Sequence, residues 1–189
     1  MIGTSLSRSP LKVLKASWPR ASPGLRSSGF SLARAVLIDP DDPAGSLAAA
    51  AYADAPVGPS VADELLCPSV IYAPAIMAML AEAPVHSIAH ITGGGLVGNL
   101  PRAMPEGTEA RLDPTTWERP PIVSEIARRG NVAEDELRRV FNLGIGMVVA
   151  TPNPDLVIAA ARSVDTAGAV IGEVARAVGT PQVHFTSDI

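Results

Sequence analysis

The sequence predicts a mixed α/β fold, an α+β sandwich in which a mixed β-sheet is flanked by helices. Hydrophobic residues make up 47% of the 189 positions, which is enough for one domain with a sizeable core. Apolar residues alternate with a period of two in some segments and recur at helical spacing in others. The resulting order of helices and strands lacks the strict alternation of a doubly wound sheet, so a mixed sheet is expected.

Each element follows from its own periodicity and punctuation. Helices are expected over residues 30–38, 61–66, 72–82, 96–104, 122–129, 134–141 and 154–164. Strands are expected over residues 85–92, 110–112, 146–150, 168–174 and 182–185. The alanine-rich residues 46–55 can be helical until Pro56 breaks them. Asn131 and Glu134 have the spacing of a helix capping box.

The N-terminal residues predict no regular structure. Three prolines and no sustained periodicity occupy residues 1–23, so we expect a disordered leader over residues 1–21 and one domain over residues 22–189. Residues 1–38 hold six basic and no acidic side chains. This composition is typical of a transit peptide, or of a plain lead into the domain.

Composition excludes several classes of function. The net charge of −4 and the 4% aromatic content argue against nucleic-acid binding, which favours a basic face and stacking side chains. The single Cys67 excludes an internal disulfide and indicates a cytoplasmic protein. The most apolar run, residues 70–85, contains Pro74, Glu82 and Pro84, so no membrane span is expected.

Residues 86–102 hold the densest set of candidate functional side chains. His86 and His90 lie four residues apart on the expected strand and therefore on one face of it. One histidine is a candidate proton carrier or phosphate contact, and the other a packed, hydrogen-bonded residue. The sequence offers no third ligand nearby, so we expect no metal site.

Three consecutive glycines, Gly93, Gly94 and Gly95, follow this strand. With Gly98 they match a dinucleotide-binding fingerprint, but Pro101 interrupts the helix that this motif requires. Consecutive glycines also let backbone amides approach an anion closely, which makes a phosphate-bearing ligand plausible. A tight turn without a ligand explains the pattern as well, and local sequence leaves both interpretations open.

Several segments together resemble one family. They are HSIAHITGGGLVGNLPR (86–102), RGNVAEDELRRVFNLGIGMVVATP (129–152), VIGEV (170–174), ELLCPSVIY (64–72) and SPGLRSSGFSLARAVL (22–37). In order and rough spacing they resemble the C-terminal domain of the phosphoribosylformylglycinamidine cyclo-ligases, also called AIR synthetases. The resemblance covers about residues 22–174.

The resemblance implies an ATP- and Mg²⁺-dependent ring closure of formylglycinamidine ribonucleotide to aminoimidazole ribonucleotide, in de novo purine synthesis. It implies a homodimer or an N-terminal domain as partner, since the family's N-terminal domain, with most of its ATP site, is absent from this sequence. A truncated enzyme is therefore the main expectation. A non-catalytic ligand- or partner-binding domain of the same superfamily is the alternative.

The resemblance also suggests site residues. His90 is the expected proton carrier or substrate contact. The expected substrate- or phosphate-binding residues are Thr92, Gly93, Gly94, Gly95, Asn99, Arg102, Ser27 and Gly29. The chain departs from the family at Arg26 and Ser28, where a histidine and an asparagine are usual, and at Val70, where an arginine is usual. These departures remove a candidate catalytic histidine and a candidate phosphate-binding cation.

Overall fold

A six-stranded mixed sheet organises the chain. The computed structural model describes residues 11–17, 24–26, 28–55 and 57–186. The strands are β1 (Leu11–Ser17), β2 (Ser87–His90), β3 (Thr108–Leu112), β4 (Met147–Thr151), β5 (Ala167–Arg176) and β6 (Gln182–Phe185). Their order across the sheet is β2-β4-β1-β5-β3-β6, and all neighbours are antiparallel except β3 and β6. The predicted mixed sheet with flanking helices is confirmed.

Eight α-helices are found among the described residues. They are α1 (Phe30–Leu37), α2 (Pro43–Ala48), α3 (Val61–Leu65), α4 (Ala73–Glu82), α5 (Gly95–Asn99), α6 (Pro121–Gly130), α7 (Glu134–Val140) and α8 (Pro154–Arg162). Short 3₁₀ helices follow α5 at Leu100–Ala103 and β3 at Pro114–Thr116. No helix in the described part of the chain is long and apolar enough to cross a membrane.

The expected disorder of residues 1–21 is wrong for residues 11–17. These residues form β1, which lies in the middle of the sheet between β4 and β5. Val13 and Leu14 are both buried although they are adjacent, because each packs on a different face of the sheet. A strand buried on both faces loses the alternation that identifies a strand in sequence. The remaining residues of the proposed leader lie outside the described part of the chain.

The two faces of the sheet carry separate hydrophobic cores. On one face, Ala89, Leu112 and Ile171 pack with Leu96 of α5 and Leu100 of the 3₁₀ helix that follows. On the other face, helices α4 and α8 pack together over Leu14 and Val149. A third core joins α1, α3, α6 and α7 beyond the sheet. The glycine-rich segment thus connects the sheet with the helix that covers one of its faces.

The capping box predicted at Asn131 and Glu134 is wrong. Asn131 has left-handed backbone angles (φ 46°) and ends α6, while Ala133 precedes α7 without a side-chain cap. Because Asn131 is the C-cap of α6, Ala133 and not Asn131 is the N-cap of α7. A capping box does form elsewhere, where Ser60 and Asp63 bond each other's backbone at the start of α3.

Candidate functional site

The glycine loop, residues Thr92–Gly95, begins two residues after β2 ends. Gly94 (φ 101°) and Gly95 (φ 59°) adopt left-handed backbone angles that side chains with a Cβ rarely take. The loop reverses the chain so that α5 begins at Gly95, directly after the sheet. The predicted strand, glycine turn and short helix are confirmed here, although α5 gives way to a 3₁₀ turn at Leu100.

The glycines of the loop have different roles. A Cβ added to Gly95 would strike the backbone carbonyl oxygens of Arg138 and Phe141, so Gly95 permits close packing on the end of α7. A Cβ added to Gly93 would meet nothing within 4 Å, and Gly93 is exposed. Gly95 is therefore required by packing, whereas Gly93 leaves its backbone open to solvent.

Asn99 holds the loop in this shape. Its Nδ2 donates to the carbonyl oxygens of Gly95 (2.8 Å), Gly93 (3.2 Å) and Thr92 (3.3 Å). The Thr92 hydroxyl donates in turn to Asn99 Oδ1 at 3.3 Å. Three carbonyls are thereby turned toward a buried amide. Both polar atoms of the Asn99 side chain form hydrogen bonds within the loop, so the role of this side chain is to orient the loop backbone.

The same arrangement leaves two backbone donors unused. Among the described residues, the N–H groups of Gly93 and Gly94 donate to no protein acceptor, while Gly95 N bonds Thr92 O at 3.1 Å. Adjacent free N–H groups in a left-handed turn form the kind of concavity that binds phosphate or carboxylate oxygens. The loop can therefore offer two backbone hydrogen bonds to an anion.

The second part of the site is a contact between Arg26 and Tyr72 that sequence reasoning missed. The Arg26 guanidinium donates to the Tyr72 hydroxyl and lies 4.9 Å from the centre of its ring. Both side chains are buried and lie against Gly146, where a Cβ would overlap them. Burial raises the pKa of Tyr72 above its usual value, although the Arg26 cation opposes this shift. No local sequence pattern predicts this contact, because Arg26 and Tyr72 are 46 residues apart in the sequence.

Gly146 connects this contact to the glycine loop. The Gly146 carbonyl oxygen accepts a hydrogen bond from the backbone N–H of Ile91 at 2.8 Å, and Ile91 is the residue between His90 and Thr92. Phe141 also contributes, because its backbone oxygen lies beside Gly95 and its ring lies beside Gly29. Residues 141–146, which follow α7, therefore bring together the glycine loop, Gly29 and Arg26.

The remaining predicted residues occupy distinct places. Gly29 (φ 67°) precedes α1, and Ser27 lies outside the described residues. His90 is exposed at the end of β2, and His86 is exposed just before β2 begins. Arg102 is exposed on the 3₁₀ turn and forms no ion pair with a described residue. The structure thus joins Thr92–Gly95 and Asn99 by hydrogen bonds, whereas His86, His90 and Arg102 are exposed side chains.

A buried amide lies in the same turn. Asn142 is 1% exposed, and its Oδ1 accepts from Gly144 N at 2.9 Å. Within the described part of the chain its Nδ2 finds no acceptor. No group of three or more His, Cys, Asp or Glu side chains that could hold a metal ion is found among the described residues.

Comparison with protein families identifies one match over most of the chain. The model of the "AIR synthase related protein, C-terminal domain" matches residues 14–183. This range includes the glycine loop and the turn at residues 141–146. It begins inside β1, in agreement with the place of this strand in the sheet.

Curated relatives carry one activity in their names. The chain is 42% identical over 160 residues to a phosphoribosylformylglycinamidine cyclo-ligase from Geotalea daltonii. This match covers 82% of the chain and 44% of that protein. It is 44% identical over 169 residues to a protein of the same name from Symbiobacterium thermophilum, covering 86% of the chain and 46% of that protein. The chain therefore spans slightly less than half the length of these relatives.

A solved structure supports the fold. A thiamine-monophosphate kinase from Stenotrophomonas maltophilia superposes with a TM-score of 0.50 over 94% of the chain and 50% of that protein. The sequence identity is 15%, so this likeness concerns the fold alone.

Proposed function

Because the chain belongs to the AIR synthase related family, in its C-terminal domain, we propose that it supplies one wall of a phosphoribosylformylglycinamidine cyclo-ligase site. The observation that supports this most strongly is the glycine loop, whose Gly93 and Gly94 N–H groups remain available to an anion. The proposed substrate, formylglycinamidine ribonucleotide, carries a phosphate group. A cytoplasmic location is part of the same proposal.

The proposed reaction closes a five-membered ring. ATP supplies the phosphoryl group that activates the formyl amide oxygen of the substrate. The amidine nitrogen attacks the activated carbon, and aminoimidazole ribonucleotide, ADP and phosphate are the products. Such chemistry depends on holding the two reacting groups in one orientation.

The loop residues would perform the binding step. Gly93 and Gly94 would donate their backbone N–H groups to phosphate oxygens, and Asn99 would keep those groups in place through its three hydrogen bonds. A preformed site of this kind costs no reorganisation when the anion arrives. Thr92 and Gly95 would maintain the shape of the loop, by the hydroxyl contact to Asn99 and by close packing on α7.

The surrounding side chains complete the proposal. His90 would carry a proton to or from the substrate, because it is exposed at the end of the strand that leads into the loop. Arg102 would contact a phosphate group, since its guanidinium has no ion-pair partner among the described residues. Gly29 would line the same cleft from the segment that precedes α1.

The fit to ATP and Mg²⁺ differs between the two. Free backbone N–H groups suit phosphate oxygens, so the loop fits a phosphate of either the ribonucleotide or ATP. Mg²⁺ prefers clustered carboxylate oxygens, and the described residues offer no such group. We therefore assign no metal ligand to this chain and propose no step in which it holds the metal.

The alternative function, ligand binding without catalysis, has one observation in its favour. Arg26 stands where the family resemblance leads us to expect a histidine, and its guanidinium is packed against Tyr72. A guanidinium has N–H donors and no acceptor atom, so Arg26 cannot serve as a base where a histidine could. Under this alternative the chain would bind the ribonucleotide but would not turn it over.

The test is an assay for aminoimidazole ribonucleotide formed from formylglycinamidine ribonucleotide and Mg·ATP. The chain alone should form little product, because one wall of a cleft positions a substrate poorly. Adding the N-terminal half of the Geotalea daltonii relative should restore turnover. Substrate binding without turnover in the mixture would favour the non-catalytic alternative. If the mixture neither binds the substrate nor turns it over, both proposals are contradicted.

A further inference from the structure

The C-terminal end of α7 lies against Gly95 of the glycine loop. A Cβ built on Gly95 would lie 2.1 Å from the carbonyl oxygen of Arg138 and 2.8 Å from that of Phe141. Gly95 is also the first residue of α5, and Gly93 and Gly94 come immediately before it. The position of the Arg138 backbone therefore determines where the loop and its two available N–H groups can lie.

Helix α7 is too short to hold this position by itself. It has seven residues, and Leu137 is the buried one among them. A helix of this length is marginal in water unless tertiary contacts hold it in place. Its N-terminal end is tied to the segment before α6 by an ion pair of Glu134 with Arg119. Its C-terminal end requires a contact of its own.

Arg138, in the last turn of α7, supplies that contact. Its guanidinium carbon lies 4.3 Å from the centre of the Phe185 ring, and its Nε donates to Glu134 Oε1 at 3.2 Å. Phe185 belongs to β6, the outermost strand of the sheet, and is 4% exposed. A cation over an aromatic ring is attracted more strongly when both are shielded from water. Arg138 thus joins the last turn of α7 to the edge of the sheet.

Two adjacent arginines of α7 differ in their surroundings. The Arg138 side chain is 13% exposed, whereas that of Arg139 is 71% exposed and pairs with Glu136. An arginine held against a ring and a carboxylate is poorly placed to contact a ligand itself. The influence of Arg138 on the loop therefore passes through its backbone oxygen, which lies beside Gly95.

We propose that Arg138 is a positioning residue for the glycine loop. By packing on Phe185 it fixes the end of α7 against which Gly95 lies, and it thereby holds the Gly93 and Gly94 N–H groups in the arrangement that binds an anion. Donors that are fixed in advance bind more tightly than donors that must first be ordered. This inference rests on the proposed function of the loop, so its test includes a measurement that needs no ligand.

Hydrogen exchange of the ligand-free chain measures the positioning. The Gly95 amide bonds Thr92 O at 3.1 Å, whereas Val149 lies in β4 between two neighbouring strands and reports the stability of the sheet. In Arg138→Met, exchange at Gly95 should accelerate about 10-fold more than exchange at Val149. Arg162→Met is the matched control, because Arg162 is an exposed arginine in the last turn of α8, and it should leave both rates unchanged.

A titration with inorganic phosphate, followed by the NMR signals of Gly93 and Gly94, measures the effect on binding. Arg138→Met should raise the dissociation constant for phosphate by about 10-fold, because the donors are then no longer held in advance. Arg138→Lys should raise it less, since lysine keeps a cation for the ring. Phe185→Leu keeps every charge and should weaken binding as Arg138→Met does. Circular dichroism would show that each variant is folded.

The outcomes separate this proposal from the proposed function. Equal acceleration at Gly95 and Val149 in Arg138→Met would overturn the positioning role, whether or not the loop binds phosphate. Unchanged phosphate binding in Arg138→Met would overturn it as well. Weakened binding in Arg138→Met with unchanged binding in Phe185→Leu would show that Arg138 acts through its charge alone, which also overturns it. A wild type in which phosphate shifts neither loop signal would contradict the proposed function, while the exchange rates would still decide the role of Arg138.

Discussion

The side-chain Nδ2 of Asn99 donates to the carbonyl oxygen of Gly95 at 2.8 Å, and this bond closes the glycine loop from the inside. The same nitrogen also bonds the carbonyl oxygens of Thr92 and Gly93. One buried amide thus determines the direction of three peptide carbonyls of the loop, those of Thr92, Gly93 and Gly95. The N–H groups of Gly93 and Gly94 donate to no acceptor among the described residues.

Asn99→Asp is expected to loosen the loop. A carboxylate cannot donate to the three carbonyls and would instead repel them in a buried place, which should destabilise the fold by about 2–4 kcal/mol. Denaturant unfolding measures the loss, and hydrogen exchange of the Gly95 amide, which bonds Thr92 O at 3.1 Å, should become faster. Asn153→Asp is the control, because Asn153 is exposed at the start of α8, where aspartate is equally favourable. Equal stability of both variants would contradict the assigned role of Asn99.

The glycines of the loop should differ in their tolerance of a methyl group. Gly95→Ala would drive a Cβ into the backbone of Arg138 and Phe141 at a left-handed position, and should cost about 3 kcal/mol or more. Gly93→Ala has open space and should cost less than about 1 kcal/mol. Urea unfolding of both variants checks the difference. A loop that tolerates alanine equally at both positions would contradict the packing of Gly95 on α7.

Glu125 should make the fold sensitive to acid. Hydrogen bonds from Arg128, with a further contribution from Arg129, lower the pKa of this carboxyl from 4.5 to about 2. A lowered pKa contributes stability at pH values above 4.5, and that contribution is lost as the pH falls from 4.5 toward 2. Glu125→Gln should cost about 1–3 kcal/mol at pH 7 and flatten the dependence of stability on pH in this range.

The exposed Glu118 provides the control for this measurement, since Glu118→Gln should retain the acid dependence of the wild type. Unfolding free energies measured from pH 2 to pH 7 compare the two variants. A Glu125→Gln protein with the full acid dependence of the wild type would show that other carboxyl groups cause it.

Arg26 and Tyr72 should be coupled energetically. A double-mutant cycle with Arg26→Met, Tyr72→Phe and the double variant isolates the hydrogen bond between Arg26 and the Tyr72 hydroxyl, because phenylalanine keeps the ring. The coupling free energy of this hydrogen bond should be about 1–2 kcal/mol. A second cycle with Arg34→Met, at an exposed arginine, is the matched control. Arg26→Met should be coupled to Tyr72→Phe, and Arg34→Met should not. Additive effects of Arg26→Met and Tyr72→Phe would contradict the contact.

The sequence predicts local features well and distant contacts poorly. The turn at Gly93–Gly95 and the short helix after it were predicted because consecutive glycines and a change of periodicity lie within a few residues. Asn99 bonds Gly95 four residues away, so its orienting role was also within reach of sequence reasoning.

Other features depend on partners far along the chain. Strand β1 was missed because Val13 and Leu14 are buried on opposite faces and its neighbours, β4 and β5, come more than a hundred residues later. The contact of Arg26 with Tyr72 was missed for a similar reason, since only the fold brings both against Gly146. Asn131 has the spacing of a residue that caps the start of α7, but in the structure it is the C-cap of α6.

The most direct test of the proposed site is an NMR titration that follows the backbone amides of the glycine loop. Adding formylglycinamidine ribonucleotide should shift the amide signals of Gly93 and Gly94, while the same compound without its phosphate should not. The exposed Gly179, between β5 and β6, should be unaffected in both titrations. Equal shifts with and without the phosphate group, or no shift at Gly93 and Gly94, would contradict the proposal that this loop binds the substrate phosphate.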